Sequence, residues 1–355
     1  MTPDNSSPLL SVRNLKTYFF LDEGTVRAVD GVDFDVLPGQ ILGIVGESGC
    51  GKSVTIKSIL RIVEKPGRLV DGSILFRAGG QEEPVDLARL DPKGKRIRAI
   101  RGAEIALIPQ EPMAAFSPVH TIGDQILEAI LLHQDVSQEE AWRMAVQRLD
   151  EVGVPDPERR MRAYSWELSG GLRQRAIIAM ALACNPRLLI ADEPTTAIDV
   201  TTQAQILNLL RRLREQHNMA IIFITHDLGV IAQLADYVVV MYLGQVMEAG
   251  PVEQIFHDPH HPYTRALLRS IPSIHSPSHT LLPTIEGSIP HPFNRPPGCP
   301  FHPRCREAMP DVCNRGFPQR HAIDAQHSVH CFLYSPAQDG PAIPAATASE
   351  PSRQP

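Results

Sequence analysis

The chain has 355 residues, 43% hydrophobic and 21% charged, a globular composition that excludes a fibrous or wholly disordered protein. Thirty-four Lys and Arg against 40 Asp and Glu leave a net charge of −6, so the basic excess of a nucleic-acid-binding protein is missing and no nucleic-acid partner is expected. The longest apolar run, residues 176–184, is nine residues long, against the roughly 20 that a membrane-crossing helix needs.

Residues 1–10 carry neither a positive stretch nor an apolar core, so no signal peptide is expected. Residues 9–37 alternate apolar and polar around Asp22-Glu23-Gly24, the pattern of an antiparallel hairpin. Residues 41–45 form a short apolar run fit for a buried parallel strand, followed by a glycine-rich turn and a helical stretch over residues 52–63. Further buried strands are predicted at residues 104–109, 188–192, 220–225 and 237–242, with a helix at 201–214. Strands alternating with helices predict an α/β fold with a mostly parallel sheet. Between residues 121 and 167 apolar residues recur only at helical spacing, which predicts a helical insertion.

From residue 251 onward periodicity fails, apart from a short helix near residues 263–270. That last part, 105 residues, holds 19 of the 32 prolines, ten of the 14 histidines and four of the six cysteines. It is expected to be an irregular appendage dispensable for the chemistry, with residues 336–355 a disordered Pro/Ala-rich tail.

Gly46-Glu47-Ser48-Gly49-Cys50-Gly51-Lys52-Ser53 fits the phosphate-loop pattern, with a buried strand before it and a helix after it. Glycines there allow backbone N–H groups to turn around phosphate oxygens; Lys52 is expected at the β and γ phosphates, and Ser53 on magnesium. The strand at 188–192 ends in Asp192, a magnesium-holding carboxylate candidate, followed by Glu193 as candidate base for an attacking water. The next strand runs into His226, a candidate γ-phosphate contact that positions Glu193.

Leu168-Ser169-Gly170-Gly171-Leu172-Arg173-Gln174-Arg175 resembles the signature motif of ABC-type ATPases. Similarity continues through Gln110 as the Q-loop glutamine, Asp199 in the D-loop and His226 as the switch histidine; Phe19 falls near the aromatic that stacks on adenine, with Tyr18 and Phe20 as rivals. Gln110-Glu111-Pro112-Met113, His261-Pro262-Tyr263-Thr264 and Gly298-Cys299-Pro300-Phe301-His302-Pro303-Arg304-Cys305 are similar to the dipeptide and oligopeptide importer ATPases, the first of the paired subunits above all.

The resemblance implies a RecA-like P-loop ATPase core with an antiparallel β subdomain over residues 9–255, a helical subdomain at about 112–170, and a C-terminal domain at 256–335. It implies ATP and Mg2+ as ligands, the metal held by Ser53, Gln110 and Asp192, and Glu193, His226 and Gln110 as catalytic residues. Two ATPase subunits would meet head to tail, Ser169, Gly170, Gly171 and Asp199 reaching nucleotide on the partner's phosphate loop. Further implied partners are two transmembrane permease subunits and an extracytoplasmic substrate-binding protein, with this chain peripheral on the cytoplasmic face of the membrane. Peptides are the implied cargo, with nickel or oligosaccharides as alternatives; a soluble ABC ATPase or a redox or iron sensor are further alternatives.

Cys299, Cys305, Cys313 and Cys331 lack the two-residue spacing of zinc ribbons. In a reducing compartment four thiolates could hold an iron–sulfur cluster, zinc, or nothing; some members of the resembled family carry a [4Fe–4S] cluster.

Overall fold

The computed structural model describes residues 7–79, 83–111, 115–196, 198–271 and 285–334. The first strands, β1 (Leu10–Leu21) and β2 (Gly24–Val36), form the predicted hairpin. They join β4 (Gly67–Phe76) and β5 (Val85–Asp86) in a four-stranded antiparallel sheet of order β2-β1-β4-β5.

A second sheet carries the core. Its strands β3 (Ile41–Val45), β6 (Ile105–Ile108), β7 (Leu188–Asp192), β8 (Ala220–Ile224) and β9 (Tyr237–Tyr242) run parallel, and β10 (Gln245–Pro251) turns back antiparallel on β9. Alternate residues of these strands face different layers, as the period of two requires. Leu42, Ile44, Ile190, Ile222 and Met241 pack toward the antiparallel sheet and α1 (Lys52–Ile59). Ile41, Val45, Leu189, Ile221 and Phe223 pack toward the helices. Both faces are covered, so the strands are apolar throughout.

After α2 (Lys95–Ile100), the helical layer contains α3 (Ile122–His133), started by a Thr121–Asp124 capping box, then α4 (Gln138–Glu151), α5 (Pro157–Met161) and α6 (Gly170–Ala181). Helices α7 (Val200–His217) and α8 (Leu228–Leu234) pack on the same face of the core sheet. Pro112, Met113, Ala197 and residues 336–355 lie outside the described residues.

Beyond residue 251 the chain is more ordered than its periodicity suggests. Helices α9 (Val252–His257) and α10 (Pro262–Arg269) are followed by β11 (His321–Ala322) and β12 (Ser328–Val329), and β12 pairs with β10 at the edge of the core sheet. The joint is polar and buried. Glu248 on β10 is fully buried and accepts from the His260 and His261 backbone N–H groups at 2.7 and 2.9 Å and from His327 Nε2 at 2.8 Å. The C-terminal region is thus built onto the core sheet instead of hanging from it.

Candidate functional site

The loop between β3 and α1 is shaped by glycines. Gly46, Gly49 and Gly51 have φ of 150°, 78° and 104°, and a Cβ on Gly51 would meet the Ala28 carbonyl oxygen at 2.3 Å. Buried Lys52 donates to the carbonyls of Gly46 (2.8 Å) and Glu47 (3.2 Å). Cys50 is buried beneath the loop, and burial pushes its thiol above the usual value, so it is not a thiolate nucleophile at neutral pH.

Strand β7 delivers Asp192 to the same place. Ser53 Oγ donates to Asp192 Oδ1 at 3.1 Å, joining the two residues expected at magnesium. Burial raises the Asp192 carboxyl, offset in part by that hydrogen bond. The donor set, a hydroxyl beside a carboxylate at the first turn of α1, suits a hard cation.

Glu193 has φ of 47°, uncommon for a side chain of its kind, and its backbone N–H donates to the Ile224 carbonyl at 2.9 Å. Three groups surround its Oε2: Gln110 Nε2 at 3.4 Å, Thr196 Oγ1 at 3.1 Å and His226 Nδ1 at 3.3 Å. Gln110, Glu193 and His226, more than 30 residues apart in every pairing, are therefore brought together. Thr196 was not anticipated, although its place three residues after Glu193 is a signal of a local hydroxyl-to-carboxylate bond.

Ser169 caps α6, its hydroxyl accepting from the Leu172 N–H, so Gly170 and Gly171 occupy the first turn, Gly170 exposed and Gly171 half-buried against Thr202. Buried Arg173 donates to the carbonyls of Ser165 and Leu168, and Gln174 Nε2 donates to the Pro194 carbonyl at 2.8 Å. The start of α6 is thereby tied to the turn that carries Glu193. Asp199 caps α7, accepting from Thr202 N–H at 2.9 Å and Thr202 Oγ1 at 2.8 Å, bonds that lower its carboxyl.

The three aromatics of β1 take different places. Phe19 packs across Gly67 of the neighbouring strand, where even a Cβ would fall 2.6 Å from the ring. Tyr18 donates its hydroxyl to Asp30 at 2.6 Å, and Phe20 lies under Arg68.

Two residues of the C-terminal region reach the phosphate loop from outside. The Tyr263 hydroxyl accepts from Glu47 N–H at 2.9 Å, and the Arg304 guanidinium grips both Glu47 carboxylate oxygens at 2.7 and 3.1 Å. The Glu47 side chain and amide therefore face the C-terminal region. No spacing in the sequence announces contacts across 216 and 257 residues.

Behind Arg304, Cys299, Cys305, Cys313 and Cys331 line one pocket with His261 and Phe301. All six cysteines are free. Burial pushes the Cys299 thiol up to about 11 and Cys331 up to about 12, with the neighbouring thiols adding to both. Among the described residues no group of three or more His, Cys, Asp or Glu is arranged to hold a metal ion.

A phosphate loop following the central parallel strand, an Asp–Glu pair ending another, and a Ser-Gly-Gly helix start on the adjoining helical layer define an ATP-binding cassette, a P-loop ATPase. Residues 29–196 match the ABC transporter family and residues 247–313 match the oligopeptide/dipeptide transporter C-terminal region.

The chain belongs to the ABC transporter ATP-binding proteins that carry this C-terminal region. It is 47% identical to the dipeptide transport ATP-binding protein DppD of Bacillus subtilis, covering 92% of this chain and 94% of that one. It is 48% identical to the oligopeptide transport ATP-binding protein AppD of the same organism, over 92% and 97%. Among solved structures it resembles an ATP-binding cassette in a dimeric post-hydrolysis state bound to ADP and Pi, with a TM-score of 0.60, 24% identity, and coverage of 68% of this chain and 98% of that one. The cbiO1 subunit from Clostridium perfringens is similar at a TM-score of 0.58 and 24% identity, over 71% and 92%. Both likenesses concern the fold. No helix among the described residues is long and apolar enough to cross a membrane.

Proposed function

We propose that this chain hydrolyses ATP to drive di- or oligopeptides through a membrane permease. The observation that carries the reading is a phosphate loop in the same chain as residues 247–313, the part similar to the oligopeptide/dipeptide transporter C-terminal region. The names of the relatives at 47% and 48% identity support peptide as cargo.

Lys52 exchanges its contacts to the Gly46 and Glu47 carbonyls for the β and γ phosphates. Ser53 and Asp192, with Gln110, are the residues that hold magnesium, which neutralises phosphate charge when bound. Glu193 orients or deprotonates the attacking water. Thr196 and Gln110 fix its carboxylate, and His226 reaches toward the γ phosphate.

Ser169, Gly170 and Gly171 point outward at a helix N-terminus, where N–H groups favour an anion. They close over nucleotide on the loop of a second ATPase subunit, with Asp199 beside that junction. Phe19 is the candidate for stacking on adenine. The remaining partners are two permease subunits and an extracytoplasmic substrate-binding protein, and the chain works peripherally at the cytoplasmic face. The cassette occupies residues 9–255 and the C-terminal domain residues 256–335.

For Cys299, Cys305, Cys313 and Cys331 we propose a [4Fe–4S] cluster, with zinc or free thiols as the alternatives. What supports the reading is that the four cysteines line one pocket, and such a cluster takes one cysteine per iron. Anaerobic purification with iron and sulfide analysis tests it: colourless, iron-free protein rejects the cluster.

The transport reading is tested by reconstituting the chain with its permease, partner ATPase and binding protein in vesicles. ATP-dependent uptake of labelled peptides is expected, and Glu193→Gln is expected to retain ATP while losing turnover by at least about 100-fold. Uptake of nickel or oligosaccharide without peptide overturns the cargo, and unimpaired turnover removes Glu193 from its role.

A further inference from the structure

Glu47, inside the phosphate loop, is held at every polar group it has. Its N–H goes to the Tyr263 hydroxyl, its carbonyl accepts from Cys50 N–H and Lys52 Nζ, and its carboxylate takes both arms of Arg304. Arg304 is equally constrained. Its Nε donates to the Glu286 carbonyl at 3.1 Å and its Nη1 also reaches the Tyr242 hydroxyl at 3.3 Å, with the side chain only 5% exposed. Tyr242, Tyr263 and Phe301 pack ring against ring at 4.7 to 5.4 Å, fixing the turn that carries Arg304 against the end of β9.

Such a bond network is out of proportion for a surface ion pair. A bidentate Arg–carboxylate bond with a buried guanidinium fixes orientation as well as distance. A loop with three glycines at positive φ has more backbone freedom to lose on ordering than a glycine-free loop of its length. An unpaired Glu47 carboxylate would also place a negative charge on the loop that receives the phosphates.

We propose that Arg304 and Tyr263 are positioning residues for nucleotide: from the C-terminal region they hold the phosphate loop in its binding form through Glu47 and neutralise the one carboxylate on that loop. Both residues touch the loop that receives the phosphates and neither touches Glu193, Gln110 or His226, so they act on binding and not on bond cleavage. Removing them raises KM for Mg-ATP and spares kcat, the mark of lost uniform binding. The proposal rests on the reading of residues 46–53 as the nucleotide loop.

The experiment measures Mg-ATP binding by the full-length chain, and KM and kcat in the reconstituted transporter, for Arg304→Met, Arg304→Lys, Glu47→Gln, Tyr263→Phe and the Arg304→Met/Glu47→Gln pair. Lys52→Ala is the control: if it leaves binding intact, the loop reading itself fails. With that control responding, Arg304→Met is expected to raise KM about tenfold, about 1.4 kcal/mol, with kcat within about twofold. Arg304→Lys, which keeps the charge and loses the fork, is expected to fall between.

Glu47→Gln and Tyr263→Phe change no volume and test the same contacts where Arg304→Met fails to fold. The double variant is expected to be no worse than Arg304→Met, because both changes break one interaction. KM within twofold of wild type in Arg304→Met and Glu47→Gln overturns the proposal, as do losses that multiply in the double variant.

Discussion

His327→Leu removes the imidazole donor from a fully buried carboxylate. Glu248 has no exposed surface and His327 is 2% exposed. After the substitution two backbone N–H groups and the Thr264 hydroxyl remain beside Glu248, so the expected loss lies at the lower end of the range for a buried charge deprived of its partner, about 3 kcal/mol. At about 2 °C per kcal/mol for a chain of this size, the midpoint of thermal unfolding drops by roughly 6 °C at pH 7.

The pH dependence gives the sharper reading. In the folded protein burial pushes the Glu248 carboxyl up, but the bonds from His327, Thr264 and the two amides more than offset it and hold it below the ordinary carboxylate value. Its stabilisation is therefore fully present above that value, about 4.3, and is lost as pH falls through the depressed one. In His327→Leu burial prevails, the carboxyl rises, and protonation relieves the variant as pH falls from 7 toward 4. The gap in unfolding midpoint between wild type and variant, measured by differential scanning fluorimetry or circular dichroism, must narrow on acidification. A gap of the same size at pH 7 and pH 4.5, or one below 1 °C at pH 7, refutes this account of the joint.

Three further outcomes follow from the site. Thr196→Val takes a hydroxyl donor from Glu193, a bond of about 1 kcal/mol, and should lower kcat for ATP about fivefold with KM unchanged in a phosphate-release assay. Gly51→Ala forces a Cβ against the Ala28 carbonyl at a φ of 104°, and nucleotide binding by equilibrium titration should be lost. Asp199→Ala removes the α7 cap and should lower the unfolding midpoint by about 2 °C, whereas Asp199→Asn, which caps equally well, should stay within 1 °C of wild type.

Much of the fold was legible because its central strands are short apolar runs: residues 41–45, 188–192 and 220–224 are buried on both faces and look it in the sequence. The loop of residues 46–53 and the Asp192–Glu193 pair were legible because phosphate chemistry demands particular residues at fixed spacing. Strand β10 was hidden by Glu248, a carboxylate that reads as surface until its donors from elsewhere in the chain are known. Strand β12 is two residues long, too short to carry a period. Tyr263 and Arg304 were hidden for another reason: both fell in quoted motifs, but what they touch is decided by the packing of Tyr242, Tyr263 and Phe301. The C-terminal third, expected to stand apart from the chemistry, makes two contacts to the phosphate loop.

The pairing of β10 with β12 also sets an order of events during synthesis. The open side of β10, at residues 245–251, leaves the ribosome nearly 80 residues before Ser328–Val329 arrives to cover it. Over that interval, several seconds at ordinary elongation rates of about 5–20 residues per second, the nascent cassette presents an unpaired strand edge and a Glu248 still lacking His327. The sheet edge closes only when Ser328–Val329 docks, so the stage most open to edge-to-edge association is the one between synthesis of β10 and synthesis of β12.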